Sequence, residues 1–258
     1  MKSRMRLLKT LSFGGFLLLL FLFQACSKLP EKIDLLSSVE LIETPDYISI
    51  YPKGIPVRST SILFHTGGLV DPHAYISLLQ YLVADGYPVV IAKPIANLGI
   101  LGSKEASFIT RKFPNVKNWV IGGHSLGAVV AGKDVYKEPH NFKGLILLAG
   151  YPTKGNDLSN WSGAVLSISA SNDGLATRKD IDDNKKQLPL GIPIVQLTDM
   201  PIVPTNGETI YHEIEGGIHA YFGAYGAQKN DGTATITRSA QHQEVVNFIL
   251  FFLKANNL

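Results

Sequence analysis

Ser125 stands in the run Gly123-His124-Ser125-Leu126-Gly127, between the apolar stretch Trp119-Val120-Ile121 and the small-residue stretch Ala128-Val129-Val130-Ala131-Gly132. A serine hydroxyl serves as a nucleophile when a sharp strand-to-helix turn presents it. That turn needs small residues two places before and two places after the serine, so that strand and helix can close on each other. Gly123 and Gly127 meet the demand. A helix starting at Leu126 would also aim free backbone N–H groups, and the positive end of its dipole, at charge developing on a substrate oxygen. The chemistry implied is attack of Ser125 on an acyl carbonyl through a covalent intermediate.

Such a hydroxyl needs a general base, and the base needs an orienting carboxylate. Of the seven histidines, His65 and His124 lie too near the turn in sequence to be placed opposite it easily. His140 falls on a loop, His212 within a strand and His242 on the terminal helix. His219 follows the strand 210–214 through Glu215-Gly216-Gly217-Ile218 and precedes the terminal helix. It therefore belongs at a strand's C-terminal edge, where ligands bind in open α/β sheets; the competing role is a hydrogen-bonded histidine in a glycine turn. Asp173 ends the preceding strand through Ala170-Ser171-Asn172 and is followed by Gly174, although Asn-Asp-Gly is also good turn chemistry. Asp199, after Gln196-Leu197-Thr198, is the alternative acid. For the oxyanion, the strand 61–64 leads into His65-Thr66-Gly67-Gly68-Leu69-Val70-Asp71, whose glycines let backbone approach substrate. The N–H groups of Gly68 and Leu126 are the expected donors. This chemistry calls for no metal or cofactor, and the spacing of His65, Asp71 and His73 matches no zinc pattern.

The elements that must carry these residues alternate in a βαβα manner. Strands are predicted over 48–51, 61–64, 88–92, 118–121, 144–148, 164–169 and 210–214. Helices are predicted over 74–84, 104–113, 126–136 and 239–254. Several strands are unbroken Val, Ile and Leu runs, as expected where a sheet is covered on both faces. In the last helix Val245, Val246, Phe248, Ile249, Phe252 and Leu253 recur at helical spacing, which is a core face. The implied fold class is α/β, one doubly wound, mostly parallel sheet with helices on both faces. The stretch 188–209, with Pro189, Pro193, Pro201 and Pro204, reads as an insertion or lid without regular structure. It, Tyr151, Tyr221 and Phe222 are the expected pocket walls.

Residues 1–26 read as an export signal. Lys2, Arg4, Arg6 and Lys9 precede an apolar run from Leu11 to Phe23, shorter than the roughly 20 residues that cross a bilayer comfortably. Cys26 is the only cysteine. The order Leu22-Phe23-Gln24-Ala25-Cys26-Ser27 resembles the lipobox of bacterial lipoproteins, which implies lipidation of Cys26 and a membrane partner through that anchor in the bacterial cell envelope. An uncleaved anchor or a plain signal peptide are the alternatives. Residues 27–38 are a polar tether and 39–258 the folded domain. Outside the four basic residues of the signal, 20 Lys and Arg face 21 Asp and Glu. No basic footprint for nucleic acid remains, and with no second cysteine the domain's stability must come from core burial.

The loop Gly67-Gly68-Leu69-Val70-Asp71-Pro72, the turn around Ser125, the Ser171-Asn172-Asp173-Gly174 turn and the segment from Gly216 to Gly226 together resemble a bacterial α/β-hydrolase family related to dienelactone hydrolases and small carboxylesterases. The resemblance covers nearly all of 39–258. Its most specific part is the His219 segment with the following Gln228, Asp231 and Gly232. It implies the α/β-hydrolase fold and a hydrolase using serine, not the cysteine of dienelactone hydrolase itself, on a small-molecule carboxylic ester. The order Ser125, Asp173, His219 agrees with such proteins. An acyltransferase or peptidase could use the same residues, and a surface lipoprotein could keep the fold as a binding module without turnover.

Overall fold

A computed structural model of the chain describes residues 28–94, 97, 106–193 and 207–258. Nine strands, β1 Val39–Glu43, β2 Tyr47–Pro52, β3 Thr60–His65, β4 Val89–Ala92, β5 Asn118–His124, β6 Gly144–Leu148, β7 Ala164–Ala170, β8 Leu190–Pro193 and β9 Glu208–Ile214, form one sheet. Their order across it is β1-β2-β4-β3-β5-β6-β7-β9-β8. Only β2 runs against the others: it is antiparallel to both β1 and β4, and the remaining pairings are parallel. The expected doubly wound, mostly parallel sheet is the architecture found.

Side chains alternate between the two faces of the sheet with the strand period of two. Ile62 and Phe64 of β3, Val120 of β5, and Ile146 and Leu148 of β6 bury into one core; Leu63, Trp119, Ile121, Leu145 and Leu147 bury into the other. The first core is closed by α1 (Ile76–Ala84) and the long terminal helix, the second by α2 (Ala106–Thr110) and α3 (Leu126–Lys137). Double coverage is why the central strands read as unbroken apolar runs. The short helix α4 (Arg178–Asn184) starts at a capping box, in which Thr177 and Asp180 each satisfy the other's backbone N–H. The terminal helix, α5 (Arg238–Ala255), is capped by Thr237 Oγ1, which accepts from Ala240 N–H at 3.1 Å, and its expected apolar face is buried throughout.

Three expectations are corrected. The stretch 188–209 is not devoid of regular structure: Leu190–Pro193 forms β8 and pairs with β9 from Glu208 onward, while 194–206 lies outside the described residues. A four-residue edge strand ending on proline, whose missing N–H costs nothing there, leaves almost no pattern to read. The helix expected from residue 74 begins at Ile76, because Pro72–Tyr75 closes as a 3-10 turn with the Asp71 carboxylate accepting from His73 N–H at 2.9 Å. The described residues of the expected polar tether, 28–38, make contacts with the domain. Pro30 bridges to Tyr225, Leu36 N–H donates to Gln80 Oε1 at 3.0 Å, and Ile33 and Leu36 pack on the first core.

Candidate active site

β5 runs straight into α3, and Ser125 joins them at φ 55°, ψ −120°. An L residue reaches that region only under strain, on the order of 1–3 kcal/mol, held by the surrounding structure. Ser125 N–H donates to Leu148 O at 2.9 Å, extending the β5–β6 ladder into the turn, and Ala128 N–H donates back to Ser125 O at 3.0 Å. The need for glycine is steric. A Cβ on Gly123 would lie 2.3 Å from the Gly127 carbonyl carbon, and one on Gly127 would lie 2.1 Å from His65 O. Gly150, which the sequence reading did not single out, belongs to the same device: its Cβ would lie 2.7 Å from both Ser125 O and Ala128 Cβ.

Because β3, β5, β7 and β9 are parallel, the loops that follow them share one edge of the sheet. Asp173 follows β7 and His219 follows β9, and the two are joined by a 2.8 Å contact between Asp173 Oδ2 and His219 Nδ1. A carboxylate only accepts, so Nδ1 carries a hydrogen, and in the neutral ring Nε2 holds the lone pair. The Asp173 carboxylate is held from its other side, where Oδ1 accepts from Leu175 N–H (2.8 Å) and Ala176 N–H (2.7 Å). Asp173 is 6% exposed and His219 1%, and Nε2 has no hydrogen-bond partner among the described residues. The His219 ring lies 4.5 Å, centroid to centroid, from the ring of His124, the residue before Ser125.

β9 is three strand positions from β5, about 14 Å at ordinary spacing, so the segment after β9 must reach back across the sheet edge. Two side chains hold it there. The Asp231 carboxylate accepts from His219 N–H (3.1 Å), Ala220 N–H (2.8 Å), Gly232 N–H (2.8 Å) and, more loosely, Gly174 N–H (3.4 Å), which ties the His219 and Asp173 turns together. Gln241 of α5, fully buried, accepts from Ile218 N–H at 3.0 Å and donates to Ile218 O at 2.9 Å. Asp231 entered the sequence reading only through the resemblance. Gln241 was missed, and its one signal was a polar residue on an otherwise apolar helix face.

On the opposite flank, the loop after β3 is pinned by a buried chain of hydrogen bonds. Gly67 N–H donates to Tyr75 Oη at 2.8 Å, and the same hydroxyl shares a hydrogen bond with His124 Nδ1, 2.9 Å away. Burial drives the Tyr75 hydroxyl far up from its ordinary pKa, and burial, followed by the neighbouring His219, drives His124 well below its own; both are neutral. His65 Nε2 pairs with Asp134 of α3 at 3.0 Å, both buried, and locks the end of β3 onto the helix that follows Ser125. Among the described residues the N–H groups of Gly68 and Leu126, the expected oxyanion donors, carry no hydrogen bond.

Phe222 is fully buried and stacks on His124 with centroids 5.5 Å apart, so it is core and not pocket wall. Tyr221 lies under the Arg238 guanidinium, 5.0 Å from its ring centroid, and Tyr151 is half-buried. His73 pairs with Asp71 (2.7 Å) and Glu43 (3.1 Å), away from the His65 contact to Asp134. His212 pairs with Glu244 at 2.6 Å and stacks on Phe248. Asp199 and Cys26 lie outside the described residues. A cavity of about 370 Å³ lined by Asn118, His140, Trp161 and Leu258 opens at the other edge of the sheet, where the strands begin.

The sequence pattern of the alpha/beta hydrolase family matches residues 61–200 and 202–243. No curated protein matches the chain in sequence. Among solved structures, Est1E from Butyrivibrio proteoclasticus is similar with 13% identity and a TM-score of 0.52, over 84% of this chain and 100% of that one. MGS-MChE2, an alpha/beta hydrolase enzyme from the metagenome of lagoon sediments of Mar Chica, Morocco, is 14% identical with a TM-score of 0.57, over 85% and 100%. Thermogutta terrifontis esterase 2, solved phosphoramylated by tabun, is 13% identical with a TM-score of 0.54, over 85% and 95%. At these identities the likeness is one of fold.

Proposed function

Since the chain belongs to the alpha/beta hydrolase family and has its fold, we propose that it is a serine hydrolase that cleaves a small carboxylic ester through an acyl-enzyme. In this reading Ser125 Oγ attacks the carbonyl carbon while His219 Nε2 takes the hydroxyl proton. The imidazolium that forms is stabilised through Nδ1–H by Asp173, which keeps the tautomer correct throughout. Negative charge moves onto the former carbonyl oxygen, and the N–H groups of Gly68 and Leu126 are the donors for it; one such donor is worth roughly 10² to 10³ in kcat. Collapse of the tetrahedral species breaks the bond to the alcohol oxygen, which leaves with the proton from His219. Water then attacks the acyl group by the same path in reverse, releasing the acid and restoring Ser125.

The observation that carries this reading is a strained Ser125 whose chain neighbour His124 lies against the buried His219–Asp173 pair. The test is hydrolysis of p-nitrophenyl esters of increasing acyl length, run beside Ser125→Ala and a fluorophosphonate probe. We expect the probe to label Ser125 and the variant to lose on the order of 10⁴ or more in kcat. Turnover unchanged in Ser125→Ala would remove the assignment. Labelling without turnover of any ester would favour a transferase or a peptidase, and the absence of both labelling and turnover a binding role. We also propose that Cys26 is lipidated, so that the enzyme works at a membrane surface of the bacterial cell envelope.

A further inference from the structure

The segment that leads into the domain lies across both loops flanking Ser125. Lys28 Nζ donates to Gly68 O at 3.1 Å, and Asp71 N–H donates to Lys28 O at 3.4 Å, so one residue grips the loop after β3 at two points. Three residues later Glu31 N–H donates to Ala224 O at 2.9 Å, and its carboxylate pairs with Arg238 at 2.5 Å. Arg238 in turn donates to Tyr225 O at 3.0 Å, and Pro30 bridges to the same tyrosine. About 10 Å of extended chain therefore joins the loop carrying Gly68 to the segment that follows His219.

Lys28 is half-buried and has no carboxylate partner among the described residues. Withdrawing a lone ammonium from water is unfavourable, and burial accordingly depresses its pKa. A lysine serving only solubility would stay in solvent. This one spends its charge on a peptide carbonyl next to an expected oxyanion donor. The segment also precedes residue 61, where the family match begins, so it lies outside the shared pattern.

We infer that residues 28–31 are a strap that works as part of the proposed active site, with Lys28 a positioning residue that holds the Gly68 N–H where an oxyanion forms. The inference rests on the reading of Ser125, His219 and Gly68 given above. Lys28→Met keeps the aliphatic stem and removes the donor, and Lys28→Arg keeps a charged donor. With p-nitrophenyl butyrate, Lys28→Met should lose about tenfold in kcat with KM changed by less than about twofold, because a misplaced oxyanion donor acts on the transition state and not on ground-state binding. The melting temperature should move by no more than about 2 °C, the small effect expected where no core contact is lost, and Lys28→Arg should recover most of the loss. Hydrogen exchange at the Leu69 and Val70 amides should quicken in Lys28→Met and return to the wild-type rate in Lys28→Arg.

A kcat for Lys28→Met within twofold of wild type, or an arginine variant no better than the methionine one, overturns the inference while leaving the Ser125 assignment intact. If Ser125→Ala keeps full activity, the catalytic reading has failed and the strap's part in catalysis fails with it. The grip on the loop is then judged by exchange alone, and unchanged protection of Leu69 and Val70 overturns that as well.

Discussion

Three buried imidazoles outside the His219–Asp173 pair are held neutral chiefly by burial: His124, His212 and His242. For His212 the adjoining Glu244 works against that effect without cancelling it. The neutrality of His124 bears on the site, since a second positive charge 4.5 Å from the His219 ring would oppose proton uptake by the base. It also bears on stability. A histidine whose folded pKa is depressed takes its proton in the unfolded chain first, so the folded state is fully favoured above about pH 6.5 and loses ground as pH falls. His242 is pushed down to about 4, and on its own it should make unfolding easier by about 3 kcal/mol between pH 6.5 and 4. Urea titrations at pH 7.5, 6 and 5 should therefore show steadily falling stability. His242→Gln should flatten that slope by about 1.4 kcal/mol per pH unit. Stability independent of pH over this range would show that these rings are charged or exposed.

At the scale of elements, the start of α3 packs directly against the end of β3 beside Ser125. The Gly127 Cα faces the His65 carbonyl so closely that even a methyl group has no room, and the obstructing atoms are backbone. Gly127→Ala should accordingly cost about 3 kcal/mol or more, as overpacking against immobile atoms does, with a melting temperature lower by about 6 °C or more. Gly155 supplies the control: nothing lies within 4 Å of a Cβ there, and Gly155→Ala should stay within about 0.5 kcal/mol. Equal melting temperatures for the two variants would mean that strand and helix are farther apart than described. Legibility in the sequence follows the same physics. β6 was read to the residue because both its faces are covered and its five residues are all buried. β1 was not read, because as an edge strand it buries only Val39, and β8 was not read, because four residues on the other edge carry no period.

For the whole molecule, the strap links the fold to the proposed anchor. Lys28 follows Cys26 by two residues, at most about 7 Å of chain, so an acyl group on Cys26 would hold the rim formed by the strap and the loop after β3 against the lipid surface. No helix among the described residues is long and apolar enough to cross a membrane. Expressed with residues 1–26 in a bacterial host, the protein should take up labelled palmitate and sediment with membranes. Cys26→Ala should abolish the label and leave the proposed hydrolase activity unaffected. A label that persists in Cys26→Ala, or a wild-type protein that never takes it up, would reject lipidation at this position.

The residue types for chemistry, and the strand before each of them, could be named from the chain because the signals involved are local. Small residues around Ser125, a turn of Asn-Asp-Gly at Asp173 and glycines ahead of His219 all act within a few positions of themselves. Their convergence was not local. It depends on β3, β5, β7 and β9 lying parallel in one order, so that loops far apart in sequence open on one edge, and on contacts no periodicity announces: Asp231 on the His219 backbone, Gln241 on Ile218 across 23 residues, and Lys28 on Gly68 across 40. A short-range pattern records which conformation a segment prefers, whereas a hydrogen bond between distant loops exists only once the sheet between them has assembled.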